Sequence, residues 1–121
     1  MADHNELGKL GEELAVDFLQ KNGYDILETN WVFQKAEIDI IAQLNTTLVV
    51  IEVKLRSSDA FGAPEDFVSI KKQKNTIKAT NAYIEEHNIH LETRFDIISI
   101  IQNNNQFSLE HFVDAYYPTL K

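Results

Sequence analysis

A chain of 121 residues has room for one ordinary domain, and its 44% apolar content suffices to bury a core, which argues against wholesale disorder. No apolar run approaches the roughly 18 residues of a membrane-spanning helix, and the opening Met-Ala-Asp-His-Asn-Glu lacks the basic flank and apolar stretch of a secretory leader, so a cytoplasmic protein is expected. The absence of cysteine excludes disulfides, thiolate metal sites and a thiol nucleophile, and a net charge of −8 argues against a generic coat for nucleic acid or anionic membrane. The charge is uneven, however. From Lys54 to Thr80 six basic and three acidic residues give +3, against −11 for the remainder.

In chain order, Leu7, Leu10, Leu14 and Phe18 recur at helical spacing and predict a helix over residues 5–22, closed by Asn22-Gly23. Residues 24–31 have a strand-like composition with poor alternation. Residues 36–42 and 48–56 are stronger strands rich in Ile and Val, joined by a polar four-residue loop, Leu44-Asn45-Thr46-Thr47. Residues 57–64, with Ser57, Ser58, Asp59, Gly62 and Pro64, have the composition of a mobile loop. A second helix is expected over about 66–86, with Phe67, Ile70, Ile77 and Ile84 on its apolar side. Strands over 94–101 and 106–113 flank a turn at Asn103-Asn104-Asn105. The order α-β-β-β-α-β-β predicts an α/β fold in which one domain, 1–121, builds a mixed five-stranded sheet flanked by helices.

Three carboxylates stand where a simple fold would not put them. On the first helix Glu6, Lys9, Glu13, Asp17 and Gln20 share the solvent arc, whereas Glu12 falls among Gly8, Ala15 and Leu19. A carboxylate leaning inward is costly unless a cation meets it; a side chain snorkelling from the edge of the polar arc is the alternative. If Gln43 pairs with Leu48, Asp39 lies opposite Glu52 and Glu37 opposite Lys54. Cross-strand carboxylates roughly 5 Å apart repel by roughly 3 kcal/mol at an effective dielectric of about 20. A hard divalent ion, Mg²⁺ or Mn²⁺, relieves such a pair. Asp39, Glu52 and the backbone carbonyl of Val53 would supply three ligands, Glu12 would hold a ligand water or a second ion, and Lys54 would orient water or stabilise charge on a phosphate. The alternative is a solvated sheet face carrying Glu37–Lys54 and Glu52–Arg56 ion pairs.

The residues that raise this question also resemble a known family. Gly8-Lys9-Leu10-Gly11-Glu12-Glu13-Leu14-Ala15, Asn22-Gly23-Tyr24-Asp25-Ile26-Leu27 and Asn30 resemble the opening of the small bacterial YraN-like proteins. Glu37-Ile38-Asp39-Ile40-Ile41-Ala42 and Ile51-Glu52-Val53-Lys54-Leu55-Arg56 resemble its two central motifs, and Lys72-Gln73 and Arg94-Phe95-Asp96-Ile97-Ile98 continue the match. Ala36 stands where that family usually has glycine, and this chain is acidic where the family is often basic. The resemblance implies a restriction-endonuclease-like core with a PD-(D/E)XK metal site, related to archaeal Holliday junction resolvases. It implies Asp39, Glu52 and Lys54 as motif residues, Glu12 as the helix-borne acid, and Gln73 or Lys72 as the helix residue beside the site.

Lys71, Lys74 and Lys78 form one stripe of the second helix, able to track a phosphate backbone or to serve as an ordinary solvated face. Together with Arg56, Lys72 and Gln73 they are the candidate nucleic-acid contacts. No aromatic is interleaved with them, His87 and His90 lack a third metal ligand nearby, and Trp31, Tyr116 and Tyr117 are expected to be packing residues. The functional expectation is a Mg²⁺- or Mn²⁺-dependent endonuclease cutting DNA, branched or damaged DNA among its candidate substrates, with a homodimer required for a double-strand or junction cut. RNA is a weaker alternative substrate. The alternative function is a nuclease-derived module that binds nucleic acid with little or no turnover.

Overall fold

The first helix stops where the sequence meets Asn22-Gly23. Gly23 takes φ 88°, and the N–H groups of Gly23 and Tyr24 close on the carbonyls of Gln20 and Leu19. The structure, a computed structural model, describes residues 4–57 and 68–117. Within them run α1 (His4–Lys21), β1 (Asp25–Phe33), β2 (Ala36–Leu44), β3 (Thr47–Ser57), α2 (Ile70–His87), β4 (Glu92–Asn103) and β5 (Gln106–Tyr116). The strands form one five-stranded sheet in sequential order, antiparallel throughout except for β3–β4, whose parallel pairing requires the crossover that carries α2. Among the described residues no helix is long and apolar enough to cross a membrane.

Side-chain alternation divides the core between two faces. Val49 and Ile51 of β3 and Ile98 and Ile100 of β4 pack with Ala15 and Leu19 of α1, whereas Leu48, Val50, Phe95 and Ile97 pack with Ala79 and Tyr83 of α2. The two helices therefore cover opposite faces of the sheet. At Gly11 helix α1 lies against β3, where an added Cβ would be in ordinary van der Waals contact, 3.6 Å from the Leu55 Cβ.

The sheet departs from the expected pattern at informative places. The β2–β3 hairpin has the anticipated register, Gln43 opposite Leu48, but Leu44 and Thr47 also pair, so its loop is two residues, made possible by Asn45 at φ 54°. The β4–β5 turn is similarly tight, with Asn103 paired to Gln106 and Asn104 at φ 53°. Poor alternation in β1 reflects a register shift between Ile26 and Glu28 and Asn30 at φ 52°. Opposite that irregularity β2 changes faces. Ile38 packs on the α2 side and Ile40 on the α1 side, with Asp39 between them.

Helix α2 begins later than residue 66 because Ser69 caps it, its Oγ accepting from the Lys72 N–H at 3.1 Å. Its buried seam is Thr76, Ala79, Thr80 and Tyr83. Ile77 and Ile84 are only partly buried, and Ile70, assigned to the apolar side, is 69% exposed in the first turn. Tyr116 and Trp31 pack as expected, against Phe95 and Tyr83, but Tyr117 follows the last strand and is exposed. Residues 58–67, including Phe67 and most of the expected 57–64 loop, lie outside the described residues.

Candidate functional site

Strands β2 and β3 pair from Leu44–Thr47 as far as Ile40–Ile51 and then part, one residue short of Asp39 and Glu52. In this register Val53 would next meet Ile38. Instead its N–H donates to Asp39 Oδ2 at 2.8 Å. Because the N–H and C=O of one strand residue point the same way, the Val53 carbonyl faces the same opening. Burial and the neighbouring Glu52 carboxylate push Asp39 up to about 7, against the opposing pull of the Val53 N–H and the Lys72 charge.

Glu52 is only 6% exposed and lies toward α2, where the Lys72 ammonium donates to Oε1. Lys54 Nζ lies 3.7 Å from the same oxygen. Burial alone would lower the Lys72 ammonium, but its hydrogen bond and attraction to Glu52, reinforced by Asp39 and Glu37, hold it above its ordinary value. Lys72 reaches inward because it sits one turn before Thr76 on the buried seam, whereas Lys71, Lys74 and Lys78 are exposed.

Glu12 approaches Asp39 from the other face. A cleft of about 510 Å³ beside α1 is lined by Lys9, Glu12, Asn30, Glu37, Asp39 and Val53. Glu12 is half-buried in it, with Oε1 accepting from Asn30 Nδ2 at 2.6 Å. Burial raises Glu12 above the usual carboxylate range; the Asn30 bond opposes this, and the Glu37 and Glu13 charges add to it. Asp39 thus stands in the fork of the sheet, with Glu12 on the α1 side and Glu52 and Lys72 on the α2 side. Among the described residues no three Asp, Glu or His side chains draw close enough to form a ready-made metal cage. The reason is this division between faces. Glu37 and Lys54 form no ion pair, because β2 and β3 have parted before reaching them.

Residues 11–100 match the family profile described as Uncharacterised protein family UPF0102. The chain is 57% identical to a UPF0102 protein of Flavobacterium psychrophilum, over 97% of this chain and 98% of that one. It is 53% identical to a relative in Flavobacterium johnsoniae, over 97% and 98%, and 44% identical to one in Bacteroides thetaiotaomicron, over 99% of each. The chain belongs to the UPF0102 (YraN-like) family.

In this UPF0102 protein the donor set at the fork suits a hard cation. Asp39, Glu52 and the Val53 carbonyl offer only oxygen, and a carboxylate pushed up by burial and a like-charged neighbour is one that a cation would relieve. Among the described residues nothing donates a hydrogen bond to Asp39 Oδ1. Gln73 contributes less than its position implied, since its Nε2 is engaged at the start of α2 by the Val68 carbonyl at 3.0 Å. Arg56, two residues beyond Lys54, is half-buried. His90 is exposed, and His87 stacks on Tyr83.

Sequence reasoning placed Arg94 and Asp96 within a motif but gave no role to the network they build in this protein. Asp96, 0% exposed, receives Arg94 Nε and Nη2 at 2.9 and 2.8 Å, lies 2.7 Å from His111 Nε2, and accepts the Asp114 N–H at 2.9 Å. Arg94 also donates to the Tyr24 hydroxyl at 2.7 Å. The desolvation that would raise Asp96 is more than offset by His111, Arg94 and the Asp114 N–H, so its carboxyl is held below the ordinary range. This network ties β5 to β4 and to the start of β1. An acid in the middle of an Ile-rich strand was the signal for it.

Proposed function

We propose that this chain is a cytoplasmic, metal-dependent phosphodiesterase with a restriction-endonuclease-like core that hydrolyses the DNA backbone. The observation that carries this reading is Asp39. It lies at the point where two strands separate, bonded to the Val53 N–H and facing Glu52, and burial and the Glu52 charge push it up to about 7 against the pull of that N–H. Asp39, Glu52 and the Val53 carbonyl would hold Mg²⁺ or Mn²⁺, and Glu12 would complete the acidic shell from the α1 side. Such an ion, when bound, polarises a phosphoryl oxygen and acidifies a coordinated water.

The chain's own residues supply the rest. Lys54, on the same strand face as Glu52, presents a partly buried ammonium that orients water and stabilises charge developing on phosphate. Lys72 offsets the Glu52 carboxylate from α2. The exposed Lys71, Lys74 and Lys78, with Arg56, would meet the phosphate backbone, whose contacts position a strand without reading its sequence. One such site cuts one strand, so a double-strand or junction cut requires a dimer.

A second reading has its own observation. Lys72 already neutralises Glu52, and the chain carries −8 overall. Both fit a module that retains the acidic fork and binds nucleic acid without turnover. Incubation with supercoiled, linear and branched DNA in Mg²⁺ or Mn²⁺ separates the two. Cleavage by the native protein, abolished in both Asp39→Ala and Lys54→Ala, supports the hydrolase. DNA and metal binding with no cleavage supports the module, and calorimetry showing no Asp39-dependent Mn²⁺ binding defeats the metal site itself.

A further inference from the structure

The α2 side of the fork continues into a second recess. A cleft of about 340 Å³ runs from Asp39 past Lys72 and Lys71 to Asn75, Ala36 and Lys35. The last three also line an adjoining cleft of about 320 Å³, closed by Phe33, Gln34 and Lys78. Phe33 ends β1 and packs against the α2-side core while lining this cleft. Its ring lies parallel to Trp31, with centroids 6.3 Å apart and an interplanar angle of 4°, and Trp31 in turn stands edge-on to Tyr83. The β1–β2 turn, with Gln34 at φ 55°, carries Lys35 to the rim opposite α2.

The lining combines three kinds of chemistry. An aromatic ring offers a stacking surface; Lys35 and Lys78 offer positive charge; the Gln34 and Asn75 amides offer both donors and acceptors. Among the described residues no acidic side chain lines this cleft, in a chain with nineteen acids. Stacking surface, flanking ammonium groups and amides suit a nucleobase with its phosphates. The sequence hid this arrangement. Phe33 is more than forty positions from Lys78, and only the packing of β1 against α2 brings them to one cleft.

We propose that the Phe33 cleft is a subsite for an unpaired base of the DNA strand held at the Asp39 fork, stacked on Phe33 and flanked by Lys35 and Lys78. The inference rests on the proposed hydrolase and adds its substrate class: DNA with an unpaired or extruded nucleotide beside the reacting phosphate. Lys72 and Lys78 are six residues apart on α2, about 9 Å along its axis, so the base binds close to the fork. A fully paired strand keeps its bases stacked inside the duplex and has none to offer there.

Trp31 is the only tryptophan, so its emission reports on this recess without requiring catalysis. The test titrates the full chain, in chelator, with DNA hairpins bearing a short single-stranded tail, the same tail with abasic residues, or no tail. The intact tail should bind about five- to a hundredfold more tightly than the abasic one and alone change Trp31 emission. Phe33→Leu keeps apolar volume and should erase that preference, Phe33→Tyr should retain it, and Lys78→Ala should weaken binding of both tails. Equal affinity for intact and abasic tails in the native protein overturns the subsite with no variant needed, as does a preference that survives Phe33→Leu. A Mg²⁺-dependent cut with no base preference sinks this inference and leaves the hydrolase standing. Base-dependent binding without cleavage overturns the hydrolase, and with it the substrate class, and leaves the Phe33 cleft as the base subsite of a module that binds without turnover.

Discussion

Asp39 carries a cost that the protein alone does not relieve. Its carboxyl titrates near 7 in the folded chain and at an ordinary 3.8 otherwise. The folded state therefore holds the proton more tightly, so stability falls as pH climbs from about 4 to about 7 and the loss persists above that. A shift of about three units caps the cost at about 4 kcal/mol, and the open cleft beside Asp39 screens it to roughly half. Asp39→Asn keeps an acceptor for the Val53 N–H and removes the charge. Without metal it should melt above the native protein at pH 8 and level with it near pH 4. Saturating Mn²⁺ should reverse the order at pH 8, because only the native carboxylate gains from the ion. Matching melting curves at pH 8 would show that the fork carries no such cost.

Lys72 makes a complementary case at the same scale. It occupies the Glu52 oxygen that a metal would seek. Lys72→Met should lower stability by about 1–3 kcal/mol without metal, because Glu52 loses its α2-side partner, yet should tighten Mn²⁺ binding by removing a competing cation. Calorimetry reads both directions in one series, and weaker Mn²⁺ binding would instead place Lys72 among the groups that assist the ion. Lys72 was only half legible in the sequence. Its position beside the site followed from resemblance, but its grip on Glu52 depends on Thr76, Ala79 and Tyr83 forming the buried seam, where the sequence favoured the more apolar isoleucines. Residue hydropathy misled because Thr80 satisfies its hydroxyl within the helix, donating to the Thr76 carbonyl at 2.7 Å.

Among elements, the strands and their register were readable and the fork was not. Alternation in β3 and the asparagine at the hairpin suffice to set Gln43 against Leu48, and that register brings Asp39 toward Glu52. Nothing in alternation reveals that β2 switches faces at Asp39, since the cause is Asn30 in the left-handed region on the neighbouring strand. The same Asn30 holds Glu12, so one irregularity shapes both sides of the site. The Asp96 network plays the corresponding part at the far edge of the sheet, where β5 departs from regular register between Phe95 and Ile97 and Asp114 takes φ 59°. Asp96→Ala would leave Arg94 partly buried without its carboxylate and should cost about 3–5 kcal/mol in denaturant unfolding. Because the folded carboxyl titrates below its unfolded value, this support is complete above about pH 4 and fades as pH falls further. An Asp96→Ala protein as stable as the native one would mean that β5 is anchored by its ladder alone.

For the whole molecule, the decisive quantity is how few positive charges an acidic chain has to spend on a polyanion. Eleven basic residues oppose nineteen acidic ones, and those facing the α2-side clefts are concentrated on α2 and at Lys35. A backbone engaged by Lys35, Lys71, Lys74 and Lys78 together with Arg56 neutralises about five phosphates, so log affinity should fall with log salt at a slope of roughly −3.5 to −4.5. Removing Lys71 or Lys78 singly should reduce that slope by roughly 1 on any DNA, whereas Phe33→Leu should leave it unchanged while abolishing the advantage of an unpaired base. Net repulsion from the rest of the chain acts beyond the Debye length of about 8 Å only at low salt, so it should slow association there rather than change the slope near physiological ionic strength. A slope near zero would place affinity outside phosphate contacts and exclude the α2 lysines as the track, whatever the fork itself does.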